Sequence, residues 1–439
     1  MARRTKKYWL RFCANGYAAG MNWQPLFAQR TAQMRRSTVR ELLKVTAQPG
    51  MISFGGGIPA PELFPIEEVA RATAAVLARF GEQALQYGET EGIAGLRDWV
   101  AARFSRPHCQ IRRENVTIVT GSQQGLDLIG KVFLDAGDRV LVENPTYLAM
   151  LSAWRPQQPA FVPLCSDGDG ACVDELPALA GPRAKLVYLV PNFQNPQGAT
   201  LTLVRRRRLL DELRGSGTIL VEDDPYGELR YAGEPLPSLL ELDAANGAGG
   251  ALETRVIQLG TFSKVLAPGL RVGWVIAPAA VIDKLVQAKQ AADLHTSTLC
   301  QHVVLELLQN GVLERQLPRL RAEYGRRRAT MLAALATHFP NEAHWTRPDG
   351  GLFLFVTLPP HIDASALLKR ALAHNVAFVP GDDFHLDGQG RNTMRLNFSN
   401  ATPEKIEEGI KRLGRVLAER PRFRSLQRHA RPDRPLACC

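Results

Sequence analysis

The sequence predicts an α/β protein: a three-layer α/β/α unit on a mostly parallel sheet, followed by a smaller α+β unit. Three observations predict it. Short β-rich runs alternate with helical patterns through the middle of the chain, the pattern changes after residue 310, and 439 residues suffice for more than one structural unit.

Taken in order, residues 1–37 read as a basic extension and N-terminal arm, and 38–65, rich in Gly and Pro, as an arm segment associated with the smaller unit. The larger unit is expected over 66–310. Its strand candidates are VTIVT (116–120), RVLVE (139–143), LVYLV (186–190), TILVE (218–222), RVIQLG (255–260) and RVGWVIAP (271–278). Between the first two, Leu126, Ile129, Val132 and Phe133 share one helical face, with Ser122 as the expected N-cap. Strands and helices in alternation give a parallel sheet covered by helices. The smaller unit, 311–420, is expected to hold an Arg-rich helix over 312–337, strands in GGLFLFVTL and TMRLNFS, and a last helix from Thr402 or Pro403. Residues 421–439 form a basic tail.

Composition narrows the function. With 45% hydrophobic and 22% charged residues, the chain is of ordinary globular type. Its net charge of +11 sits at the ends: residues 1–40 hold nine Lys or Arg and no acid, and 411–439 hold nine against Glu419 and Asp433. The body between them has 36 basic and 41 acidic residues, so no nucleic-acid partner is expected. YWLRF near the start is interrupted by Arg11 and is followed by no cleavage pattern, and no apolar run has the length of a membrane span. A cytoplasmic protein without membrane association is expected. The seven cysteines form no CxxC pair and are expected as scattered, reduced thiols; His295 and His302 lack a third ligand, so no metal is expected.

The chemistry gathers at strand ends. VTIVT runs into Gly121-Ser122-Gln123, RVLVE into Asn144-Pro145-Thr146-Tyr147, and LVYLV into Pro191-Asn192-Phe193-Gln194-Asn195. TILVE runs into Asp223-Asp224-Pro225-Tyr226, and RVIQLG into Thr261-Phe262-Ser263-Lys264. Ligands of open parallel sheets sit outside the carboxyl ends of the strands, so five such loops converge on one rim. Ser122 and Gln123 at a helix start, with Ser263 and Arg271, suit a phosphate. Lys264 offers an amine for a Schiff base with an aldehyde, and a carboxylate at a buried strand end holds a pyridine nitrogen protonated. Phosphate, aldehyde and pyridine together describe pyridoxal 5′-phosphate.

GTFSKVLAPGLRVGW, with Arg seven residues after the Lys, resembles the lysine signature of the fold-type I aminotransferases of classes I and II. NPTY, NFQNPQG, DDPY and MRLNF match the same family in the same order, over roughly residues 21–418. ISFGGGIPAPELFP and QYGETEG are most similar to the subgroup of 2-aminoadipate, kynurenine and related broad-range aminotransferases. The resemblance implies Lys264 as Schiff-base lysine and proton shuttle, and Asp223 as partner of the pyridinium nitrogen. It implies Tyr226 and Asn195 as donors to the cofactor's phenolic oxygen, and Tyr147 as a stacking ring. Ser122, Gln123, Ser263 and Arg271 match the phosphate cup, and Arg395 the fork for the substrate's α-carboxylate, a task Lys performs poorly. Tyr87 matches a tyrosine that reaches the phosphate from a neighbouring subunit, implying a homodimer, and Gly57 lies in the arm loop near the substrate.

The implied reaction moves the amino group of an L-amino acid to a 2-oxo acid, 2-oxoglutarate by expectation, in a ping-pong cycle. 2-Aminoadipate, aromatic, kynurenine and branched-chain donors stay open. A β-eliminating lyase and a cofactor-binding regulatory module are the alternatives. Two departures stand out: Gln197 replaces the usual Thr of Asn-Pro-Thr-Gly, and the resemblance begins near MNWQPLFAQR, so Met21 is the expected start.

Overall fold

The computed structural model describes residues 21–45, 48–176, 184–247 and 250–419. The basic extension over 1–20, with the expected start at Met21, and the basic tail from 421 lie outside the described residues, as do Cys13, Cys438 and Cys439.

Eight strands form the main sheet: β1 (Val116–Val119), β2 (Arg139–Asn144), β3 (Ala160–Asp167), β4 (Gly170–Ala171), β5 (Ala184–Leu189), β6 (Ile219–Asp223), β7 (Val256–Thr261) and β8 (Gly273–Ile276). Their order across the sheet is 1-8-7-6-5-2-3-4. β7, β6, β5, β2 and β3 pair in parallel, whereas β8 runs antiparallel between β7 and β1, and β4 folds back on β3. Strands buried on both faces read as apolar runs, which is why the central β5 and β6, and the buried edge strand β1, were legible in sequence.

The smaller unit holds four antiparallel strands in the order His344–Trp345, Phe353–Thr357, Thr393–Asn397, Val379–Pro380. Helices Val312–His338 and Pro403–Ala418 pack on each other, and Thr402 caps the latter through the Lys405 N–H. The arm is tied in here. Ile52–Ser53 pairs in parallel with Val376–Ala377, and the Asn397 N–H donates to the Phe54 carbonyl at 2.8 Å. Gly55 to Gly57 are thereby carried to the strand that bears Arg395. Among the described residues no helix is long and apolar enough to cross a membrane.

Candidate active site

β6 delivers two consecutive carboxylates to opposite faces of the sheet, because successive side chains of a strand alternate. Asp223 is 1% exposed. Its Oδ2 accepts a hydrogen bond from the Tyr188 hydroxyl of neighbouring β5 at 2.8 Å, while its Oδ1 is buried without a partner. Burial pushes its pKa up to about 7 against the opposing pull of that hydrogen bond, and the nearby Asp224 raises it further. A buried acceptor left open is uncommon, and this one calls for a donor.

The turn after β7 supplies the amine. Ser263 is buried, its hydroxyl 2.8 Å from that of Thr261, and Lys264 Nζ donates to the Gly57 carbonyl at 2.9 Å. Burial lowers the Lys264 ammonium to about 8, with Arg395 and Arg271 adding like-charge repulsion. A side chain on Gly57 would press against the Phe353 ring, which a Cβ would approach to 3.1 Å.

Arg395 closes the site from the small-unit strand Thr393–Asn397. Only 3% exposed, it donates to Asn195 Oδ1 at 2.8 Å and to the Gly55 carbonyl at 2.7 Å. Its guanidinium lies between two aromatic rings, 4.4 Å from the Phe353 centroid and 5.1 Å from that of Phe384, with Nε unpartnered. Burial brings it down to about 10, so it remains charged at neutral pH. Asn195 also lies close to Tyr226, whose hydroxyl burial raises well above its usual range. Tyr147 is part-buried, with its phenol pushed up to about 12 by burial and by the charge of Asp223.

At the start of helix Ser122–Phe133 the sequence expectation needs correction. Ser122 is the first helical residue and makes no capping bond; the N-cap is Gly121, at φ 74°. The reason is steric as well as conformational, since a Cβ on Gly121 would lie 2.4 Å from Arg271 Nη2. Arg271 itself stands at φ 54° and donates to the Thr120 carbonyl at 3.1 Å, so the guanidinium is held beside the N–H groups of the helix's first turn. Gln123 uses its side chain on the Ala149 carbonyl, which leaves its backbone to face the cup.

Of the residues expected at the site, eleven are brought to this rim, and Tyr87 is not. It is 77% exposed and makes an edge contact to the His295 ring at 5.8 Å. Tyr188 is the residue that sequence reasoning passed over; a hydroxyl inside the apolar run LVYLV was the available signal. Glu222 and Asp224 serve structure. Glu222 accepts the N–H groups of Leu239 and Leu240 on the sheet's other face, and Asp224 accepts the Gly227 N–H within its turn and the Asn192 amide. Gln197 takes the place of the expected Thr by donating its N–H to Gln194 and accepting from Ser166.

Residues 49–413 match the model of the family described as aminotransferase class I and II. The chain belongs to this family. This aminotransferase is 47% identical to the 2-aminoadipate transaminase of Thermus thermophilus, over 90% of its own length and 98% of the relative's. It is 42% identical to aromatic-amino-acid aminotransferase 1 of Thermococcus litoralis, over 92% and 96% of the two chains. Its fold superposes with a TM-score of 0.83 on the crystal structure of the Thermus thermophilus α-aminoadipate aminotransferase in complex with N-(5′-phosphopyridoxyl)-L-leucine, at 46% identity, covering 90% and 98% of the two chains. It is a pyridoxal-phosphate-dependent transaminase of fold type I. The residues present fit that cofactor: the open oxygen of Asp223 would suit a pyridinium N–H, and the Gly121–Arg271 cradle would suit a phosphate.

Proposed function

We propose that this transaminase takes an L-amino acid as donor and 2-oxoglutarate as acceptor, in two half-reactions at one site. The observation that carries the assignment of roles is the pairing of an open, buried carboxylate oxygen on β6 with a buried amine lowered to about 8 beyond neighbouring β7. Pyridoxal phosphate supplies, when bound, an electron-withdrawing ring and an aldehyde carbon that carries the amino group between substrates.

Asp223 would accept the ring N–H through Oδ1 while Tyr188 holds its other oxygen in place. Lys264 Nζ, increasingly neutral as pH rises through about 8, accepts the α-proton of the amino acid and returns it during turnover. Arg395 grips the α-carboxylate as a planar fork, and Asn195 fixes its orientation. Tyr226 and Asn195 would hold the phenolic oxygen, Tyr147 would stack on the ring, and Ser122, Gln123, Ser263 and Arg271 would hold the phosphate. Gly57 leaves room above Lys264. The names of the similar proteins, and the leucine adduct in one of them, favour donors with long acidic, aromatic or branched side chains.

Tyr87 supports a homodimer with shared sites. It is exposed, as are Leu77, Phe80, Leu85 and Leu294, apolar side chains suited to burial against a second copy. Mixing Tyr87→Ala and Lys264→Ala chains tests this: heterodimers recover activity at one of the two sites, and failure of any mixture to recover activity counts against sharing.

Spectroscopy tests the reaction. With pyridoxal phosphate bound, the protein absorbs in the visible; addition of 2-aminoadipate, kynurenine, leucine or glutamate singly moves the band to that of the pyridoxamine form, and 2-oxoglutarate restores it. Ammonia released without an acceptor would instead identify a lyase.

A further inference from the structure

The far edge of the main sheet carries two thiols that transamination does not use. β3 and β4 form a hairpin in which Asp167 pairs with Gly170 and Ser166 with Ala171. One step further along the ladder, Cys165 faces Cys172, and the Cys172 N–H donates to the Cys165 carbonyl at 2.8 Å. Side chains of directly opposed residues leave a sheet on the same face. Cys165 and Cys172 make one of the two hydrogen bonds of such a pair, whose complete form holds its Cα atoms about 5.5 Å apart, within the span that a disulfide bridges. The two thiols lie within interaction distance of each other. Cys165 is exposed and Cys172 part-buried, so a small reagent reaches the first and the second stands behind it.

We propose that Cys165 and Cys172 are a dithiol modification site that small disulfides convert to an intrachain disulfide. Cys165, as the thiolate, attacks one sulfur of a disulfide such as oxidised glutathione and expels one thiolate. Cys172 then loses its proton to solvent and attacks the Cys165 sulfur, expelling the second. The protein gives up two electrons and two protons, and the small disulfide becomes two thiols.

Burial, the neighbouring Cys165 thiol and the Asp167 carboxylate hold the Cys172 thiol up to about 12, and its Sγ lies 3.8 Å from Asp167 Oδ2. The exposed member therefore reacts first and the second step is the slower one. The hairpin is fastened to the active-site side of the molecule. The Ser166 hydroxyl donates to Gln197, two residues from Asn195, and Arg205 holds Asp167 through two hydrogen bonds of 2.5 and 2.7 Å.

Peptide mapping decides the matter. The holoenzyme is incubated in oxidised and reduced glutathione at rising ratios, free thiols are blocked, and the chain is cut before aspartate. Asp167 and Asp169 lie between the two cysteines, so only a disulfide keeps their peptides together. The expected result is a Cys165–Cys172 linked pair, separated by reduction, and a lasting glutathione adduct on Cys165 in Cys172→Ser. A wild-type protein that keeps a stable adduct on Cys165, or leaves both thiols free in fully oxidised glutathione, overturns the proposal.

Discussion

Glu222 and Asp223 are neighbours in the chain, both are buried, and burial raises both to about 7, yet their surroundings differ. Glu222 is saturated: Leu239 and Leu240 donate at 2.8 and 3.0 Å, and the Gln258 amide at 3.2 Å. Asp223 has a single donor, Tyr188, and one open oxygen. The difference teaches that one strand end performs two tasks by alternation alone. The face toward the short helix Leu239–Asp243 spends its carboxylate on the fold, and the face toward the rim keeps a valence open for a ligand.

Substitutions sharpen this contrast. The largest effect falls on the amine the rim serves: Lys264→Ala is expected to lower kcat at least ~10³-fold, through loss of a proton-transfer group, in steady-state transamination assays. Next, Asp223→Asn removes a charged partner of the bound ring and is expected to weaken cofactor binding by roughly 10- to 100-fold, read by equilibrium dialysis.

The same variant has an opposite effect on the cofactor-free fold. With the folded pKa raised to about 7 from 3.8, the native state holds a proton that the unfolded state has lost, so apo stability falls as pH rises between those values. Asparagine removes the share of that fall due to Asp223 and leaves the shares of the buried Glu222 and Glu143, so the fall becomes shallower, and apo melting temperatures measured from pH 4 to 8 check it. Unchanged pH dependence would show that Asp223 is not the group responsible.

On the saturated face the pattern reverses. Glu222→Gln is expected to cost about 1–3 kcal/mol of stability in denaturant titrations, since an amide cannot accept from all three donors, and to leave kcat nearly unaltered. Smallest is Tyr188→Phe, which removes one hydrogen bond worth about 1 kcal/mol and loosens cofactor binding several-fold. Loss of that donor raises the Asp223 pKa further, so the acid limb of the cofactor-binding profile moves to higher pH. A profile that stays in place would leave Tyr188 as a core residue only.

How much of this was legible depended on range. β6, β7 and the helix Val312–His338 follow from apolar runs and helical spacing, which are local. β3 was not foreseen: AFVPLCSD carries Pro163 and alternates only weakly in burial, because β4 pairs only with Ser166 and Asp167, and a strand open on one side over the rest of its length needs neither a continuous apolar run nor every N–H. The capping assignment of Ser122 failed for a tertiary reason, the guanidinium of Arg271 arriving from 150 residues away to occupy the space beside Gly121.

By itself the sequence determined which chemical groups stand at the strand ends and in what order, because a strand, its turn and the following residues are set by a few neighbouring side chains. The tertiary structure alone decided who meets whom. Lys264 reaches Gly57 across 207 residues and Arg395 reaches Asn195 across 200, and Tyr188 meets Asp223 because β5 and β6 lie side by side. Strand order and the docking of the arm onto the small unit fix those distances, and both arise from burial of whole faces, a sum over many residues that no single motif encodes.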